Sequence, residues 1–343
     1  MGKFSVEYFF SGRHRFPEAV EPFPDSLAEV SFSWPGILPA PVSGDLDFLR
    51  RELVSDLKWC RAHGLSLDLA LTAVCYGPDA STAVQRREVL DLIDLLSGHG
   101  LRPDTVTTTS PYLARIIKRF RPGIGVRAPF GMRLNHLISF EYLADCYDAF
   151  FVGGDVQRDL DAMRRFSAWC RENGKKLCML ANSGCLRNCP WRTFHGTLES
   201  HGPEAARRDA VSTGFSPVLC EKIFDDAQMV EFLRGSWIRP EDIGWYEPHV
   251  DMVALATSGS PDPSAIVAAY VSGRFEGDLF HLLVPGFHGR PRPVLLENSA
   301  FPDDWAESGI AGRCAVNCVH CGRCETVLAR ISRTNPAAAN RSV

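Results

Sequence analysis

Seven of the twelve cysteines stand in two groups, and their spacing is that of metal ligands rather than of packing residues. Cys185 and Cys189 lie in "CLRNCPWRTFH", and Cys220 follows in "LCEKI". Three thiolates would leave a cubane cluster one iron short of full protein ligation. Cys178 or a later cysteine could then complete it, or the fourth iron would stay open to substrate. The second group, "CAVNCVHCGRC", places Cys314, Cys318, Cys321 and Cys324 within eleven residues. Such a dense run suits an iron–sulfur core on which thiolates converge. Structural zinc, more often held by two separated cysteine pairs, is the alternative, with free thiols a third. The first three cysteines of the run also carry the C-x3-C-x2-C spacing of radical S-adenosylmethionine enzymes. That motif belongs after a first barrel strand, whereas only nineteen residues follow Cys324. Cys60, Cys75, Cys146 and Cys170 stand singly in apolar surroundings and read as packing residues. Cys178 lies in a strand whose alternation could turn it into the core.

Other side chains beside the first group could do chemistry. Arg192 and His195 are three apart and share a face of a helical turn. Arg192 could grip a substrate carboxylate bidentately, and His195 could serve as general acid or base. Equally, both could only fix the cysteine loop. Asn182 could donate to a substrate or a cluster sulfide, or cap a strand end. Asp155 is either functional or the N-cap of the helix in "VQRDLDAM". Arg239, before Pro240, could anchor a turn or an anion, and His320 reads as a spacer between ligands. No Ser-His-Asp order, protease-type Cys-His signature, P-loop or HExxH occurs, so peptidase activity has no visible engine. "GVRAPFGMR" lacks the dinucleotide fingerprint.

These residues need a scaffold. Strand-like runs occur in "FSVEYFF", "AEVSFSW", "LSLDLALTAV", "DTVTTTS", "GIGVRA", "AFFVGGD", "KLCMLANSG" and "DMVALATSG". Between them, "LDFLRRELVSDLKWCRAHG", "STAVQRREVLDLIDLLSGHG", "PYLARIIKRF" and "VQRDLDAMRRFSAWCRENG" repeat apolar residues at helical spacing. Eight strands alternating with helices predict an α/β fold, a (β/α)8 TIM-like barrel. The first connection, "GRHRFPEAVEPFPDS", reads as a Pro-rich loop. The expected organisation is a barrel over 1–283 with a cluster-binding insert at 185–245. A cysteine-bearing extension at 284–330 and a disordered tail at 331–343 would follow. Ser110, Tyr112, Arg127, Asp155 and Asn182 then stand at the C-terminal strand ends, where barrels hold catalytic groups.

Composition excludes several classes. The 343 residues are 45% hydrophobic and 23% charged, with a net charge of −4, which suits a globular chain with a large core. This balance carries no nucleic-acid footprint, and "RIIKRFRPGIGVR" reads as a solvated helix end. No run of about 18 apolar residues predicts a membrane span. "MGKFSV" has Val6 where myristoylation needs a hydroxyl residue, and "MGKFSVEYFF" lacks signal-peptide regions. The expectation is a cytoplasmic protein with reduced thiols.

"LANSGCLRNCPWRTFH", followed by "LCEKI" and "WIRPEDIGWYEPHVDMVALATSG", resembles the U32 peptidase-like superfamily. It is similar in particular to a branch with an N-x-G-C-x3-C-P-x-R-x2-H stretch and a cysteine-rich tail. The resemblance implies one or two 4Fe-4S clusters and oxygen-independent hydroxylation, of ubiquinone precursors or RNA bases in better-understood members. It also implies prephenate as oxygen donor and members that work in pairs with a protein partner. The cysteine spacing and the four-cysteine tail differ from those members. Pro261 and Asp262 stand where a basic residue is expected after the last strand. The expected function is therefore iron–sulfur redox or hydroxyl-transfer chemistry on a small molecule. Cys185, Cys189 and Cys220 would hold the catalytic cluster, with Arg192, His195, Asn182 and Asp155 around it. The tail would take electrons from a donor such as ferredoxin or flavodoxin. The alternatives are a non-catalytic electron-relay subunit and an RNA-base hydroxylation protein, the latter disfavoured by the acidic balance.

Overall fold

Strands buried on both faces need apolar residues outward and a tolerable lumen inward, and this chain supplies both. The structure, a computed structural model, describes residues 3–10, 15–37, 45–201, 218–225, 228–288, 292, 294–306 and 318–335, without the side chains of 225, 318 and 319. β1 (Phe4–Glu7), β2 (Leu27–Phe32), β3 (Ser66–Leu71) and β4 (Thr105–Thr108) are followed by β5 (Gly125–Ala128), β6 (Ala149–Phe151), β7 (Lys176–Leu180) and β8 (Met252–Leu255). They close a parallel barrel in sequence order, with β1 paired to β8. Seven of the eight fall within the predicted runs, and β2 starts one residue before its run. In β3, Leu67, Leu69 and Leu71 are buried among the core residues, whereas Asp68 and Ala70 line the lumen. That is the period-two alternation of a strand.

Around the barrel run α1 (Phe16–Val20), α2 (Leu46–Ala62), α3 (Ala83–Gly98), α4 (Pro111–Phe120), α5 (Leu137–Leu143) and α6 (Leu160–Glu172). Their starts follow capping chemistry: Asp45, Thr82, Ser110 and Asp159 each accept from the first-turn amides. Two expectations need correction. Asp159, not Asp155, caps α6, because the helix begins four residues later than the reading placed it. The first connection is not wholly loop. Pro17 starts α1, where its missing N–H costs nothing, and Phe16 and Val20 bury the turn. The seven-residue α5 is too short for periodicity to reveal, and Phe140 anchors it by stacking on Phe150 at 4.4 Å.

The connection from β7 to β8 carries α7 (Arg192–Ser200), α8 (Leu219–Asp225) and α9 (Val230–Leu233), and α10 (Pro263–Ser272) follows β8. Beyond it come β9 (Val294–Leu296), α11 (Cys318–Cys321), α12 (Arg323–Ile331) and β10 (Ser332–Thr334). β10 pairs antiparallel with β9, so these three residues are ordered rather than part of a disordered tail. Fully buried Ile331 draws them onto the sheet. α8 and α9 share a second apolar core with this extension. Phe224, Phe232, Phe280 and Phe287 meet there at ring distances of 4.8 to 6.3 Å. No helix among the described residues is long and apolar enough to cross a membrane.

Phe280 is fully buried at the centre of this second core. Phe280→Ala should cost about 3–5 kcal/mol of the stability of that unit. Hydrogen exchange should rise in 219–238 and 294–334 while the barrel strands stay protected; uniform loss of protection would contradict a separate core.

Candidate functional site

The lumen is polar where barrels are usually apolar. Arg127, buried on β5, donates from Nη2 to Glu29 at 2.8 Å and stands 2.7 Å from Asp68. Its Nε donates to the Thr107 hydroxyl at 2.9 Å. Ser31 and Thr107 donate to Asp68, each at 2.7 Å, and Ser5 donates to Glu29 at 2.6 Å. Burial opposes the charge on Arg127, but Asp68 and Glu29 more than offset it and raise its pKa further. For Glu29 burial wins over Arg127, and its carboxyl lies above the usual range. Cys178 also faces Arg127 in this interior, and burial pushes its thiol up to about 11. It is a lumen residue. Above this floor opens a cavity of about 540 Å³ at the C-terminal ends of the strands. Arg192, Gly196 and Glu199 of α7 form part of its wall.

The cysteine loop stands beside that mouth. Asp155 accepts from the Asn188 amide at 2.7 Å, from Arg133 at 3.0 Å and from Asn135 at 2.7 Å. Asn188 has φ 54, so this anchored amide sits at a left-handed turn between Cys185 and Cys189. Burial opposes ionisation of Asp155, yet those donors hold its carboxyl below the usual range. Arg192 donates from Nη1 to the Cys185 sulfur at 2.5 Å, and its guanidinium lies 5.9 Å from the centre of the Phe130 ring. Cys185 keeps Arg192 strongly protonated despite burial. α7 packs close because residue 196 is glycine: a Cβ there would come within 2.9 Å of Val74. Ser200 accepts from the Val74 amide at 3.0 Å and fixes the far end of that helix. His195 Nε2 lies 3.2 Å from Glu199, and this contact holds the Glu199 carboxyl low.

Cys220 arrives from α8, distant in sequence. Burial, then the neighbouring Cys185 and Cys189, push its thiol up to about 12. The three cysteines thus stand within electrostatic reach of one another. Among the described residues no three His, Cys, Asp or Glu groups close around a single ion. A tetrahedral zinc would need every sulfur at about 2.3 Å from one centre. The three thiols come from two segments, and the Cys185 sulfur accepts from Arg192. Cys324 packs against the second core that contains Cys220, and Cys321 is exposed. Cys314 and the Cys318 side chain lie outside the described residues.

The other expected site residues divide. Asn182 is corrected to a structural peg. Its Nδ2 donates to the carbonyls of Ala256 and Leu282 at 2.7 and 2.9 Å, and its Oδ1 accepts from Ala256 at 2.8 Å. It is fully buried. Asp155 lines the cysteine pocket, but its oxygens are engaged in holding the loop. Arg239 anchors a turn through Asp242 at 2.8 and 2.9 Å. Asp262 caps α10, and Ser110 caps α4. His320 is exposed. The reading missed Glu29, Asp68 and Glu199. The first two were detectable as acids at alternate positions of otherwise apolar strands.

No family model matches the chain. It is 23% identical over 246 residues to the uncharacterized protease MJ1657 of Methanocaldococcus jannaschii, covering 68% of each chain. Among solved structures it superposes on the U32 peptidase Mk0906 with TM-score 0.52 and 16% identity, over 76% of this chain and 94% of that one. A chitinase from Rhizomucor miehei gives TM-score 0.42 at 12% identity, over 79% and 98%.

Two outcomes follow from the site's electrostatics. In metal-free protein, iodoacetamide should label Cys220 slowly at pH 8, and Cys185→Ala with Cys189→Ala should speed it by removing like charge. Unchanged labelling by peptide mass spectrometry would place the thiols too far apart to interact. Asp155 stabilises the fold fully above its unfolded value of about 3.9, and this is lost as pH falls through its lower folded value. Asp155→Asn should therefore flatten the acid limb of a denaturation-versus-pH curve.

Proposed function

We propose that this chain, which resembles the U32 peptidase-like superfamily in both sequence and fold, is a barrel enzyme with an iron–sulfur cluster on Cys185, Cys189 and Cys220. It would carry out oxygen-independent redox or hydroxyl-transfer chemistry on a small molecule held in the mouth. The observation that carries this reading is the pocket lined by Cys185, Cys189 and Arg192, whose Arg192 and Phe130 also line the mouth cavity. When bound, such a cluster supplies one-electron exchange and a Lewis-acidic iron. The protein's own residues do the rest. Arg192 balances the sulfur charge of Cys185 and lines both the cysteine pocket and the mouth. Asp155 holds the loop between the two cysteines in register. His195, held at Nε2 by Glu199 on the helix that walls the mouth, would give or take a proton at Nδ1. The tail cysteines Cys314, Cys318, Cys321 and Cys324 would hold a second cluster that passes electrons inward.

A second reading comes from the relatives, two of which carry protease or peptidase names. Peptide hydrolysis would need a nucleophile or activated water in the same mouth. Anaerobic purification with iron and acid-labile sulfide analysis and EPR separates the two. Iron and sulfide should be present, and Cys185→Ala or Cys189→Ala should abolish turnover. Cys321→Ala should lower iron content and reduction by a protein donor, yet keep part of single-turnover activity under strong chemical reductant. Zinc without sulfide, together with cleavage of a peptide library, would replace the iron–sulfur reading. Activity from the isolated chain with chemical reductant would set aside the relay-subunit alternative. Binding of RNA with a steep salt dependence would revive the nucleic-acid one.

A further inference from the structure

We infer that the mouth cavity takes a ring-bearing amine, a cationic small molecule, in preference to a carboxylate-bearing one. The inference rests on reading the mouth as the substrate pocket of the proposed enzyme. Among the described residues that line the cavity, the cationic ones are Arg127 and Arg192. Arg127 is held between Glu29 and Asp68, so its charge is already cancelled within the barrel. Arg192 faces the Cys185 sulfur. A substrate carboxylate would have to compete with those partners.

Outside that neutralised cluster, the acids on the same surface outnumber Arg192. Asp68 forms part of the floor but is engaged by Arg127. Glu7 lines the wall, where its Oε2 accepts from the amides of Thr257 and Ser258, both at 3.3 Å. Glu199 reaches the rim from α7, with its side chain 67% exposed, and its contact with His195 keeps it ionised. A cation entering the cavity neutralises this excess, whereas an anion adds to it, and partial desolvation strengthens both effects. Phe32, Phe130 and Phe151 give the cavity apolar walls against which a ring can pack. Acid-directed recognition is the alternative to a clamp of Arg192 on a substrate carboxylate.

Benzylamine and benzoate carry opposite charges on similar rings and serve as probes. Their affinities would be measured calorimetrically on the full chain, prepared anaerobically, with iron and sulfide assayed in the same sample. Benzylamine should bind at least about tenfold tighter than benzoate, a difference of about 1.4 kcal/mol. Glu199→Gln, on the exposed rim, should weaken benzylamine several-fold and not weaken benzoate. Asp68→Asn should weaken it more, provided circular dichroism shows the barrel intact. Equal or tighter benzoate binding, no binding of either probe, or no response to Glu199→Gln would overturn the inference. An amine preference in protein without iron or sulfide would support the inference while removing the cluster reading. Iron-loaded protein that prefers benzoate would do the reverse.

Discussion

A guanidinium with 3% exposure has to be neutralised where it stands, and much of this barrel is arranged around that requirement. Arg127 projects from β5 into the lumen, and Glu29 on β2 and Asp68 on β3 reach it across the interior. Ser5, Ser31 and Thr107 fill the remaining acceptor positions. The network joins five consecutive strands across the interior, in addition to the backbone ladders around the wall. Removing one partner would leave a buried charge exposed to its neighbours' fields, whereas apolar replacement of the whole set need not destabilise. The polar floor therefore does not account for stability as such. It gives the mouth a fixed charge pattern on a rigid base.

The cysteine loop follows the same logic at the rim. Its backbone is held by Asp155 through Asn188, and the polypeptide after β7 is pegged to β8 and to the extension by Asn182. Arg192 then couples the loop to the cavity, since one guanidinium touches a cysteine sulfur and walls the mouth. Side chains that seemed suited to chemistry thus serve to position others. Glu199, further along α7, stands exposed at the wall of the cavity.

The barrel was legible because its strands carry apolar runs bounded by Gly, Ser, Asp and Pro, and its helices carry caps and period. Leu67, Leu69 and Leu71 announce β3 without help. The spacing of Cys185 and Cys189 marked the loop that stands beside the mouth, whereas the nearness of Cys220 depends on the fold. The lumen was harder. Glu29 and Asp68 each look like an ordinary strand acid, and only closure of the sheet brings them to Arg127. Asp155 and Asn182 looked functional at strand ends. Strand-end position alone cannot tell a residue aimed at ligand from one whose polar atoms are taken by nearby backbone. The three-residue strand β10 carries no pattern of its own and depends on Ile331 and on β9.

The second apolar core has a consequence for the order of events during synthesis. Cys220 sits on a helix whose neighbours include Phe280, Leu296 and Ile331, the last more than a hundred positions further along the chain. A nascent polypeptide that has emerged only as far as β8 can close its barrel and form the loop bearing Cys185 and Cys189. It has nothing yet against which to seat the third thiol. Assembly of the thiol set is thereby delayed until the extension has been translated and folded back. A chain that ends before the extension would be left with two of the three sulfurs in place. The late-arriving core separates folding of the scaffold from seating of Cys220.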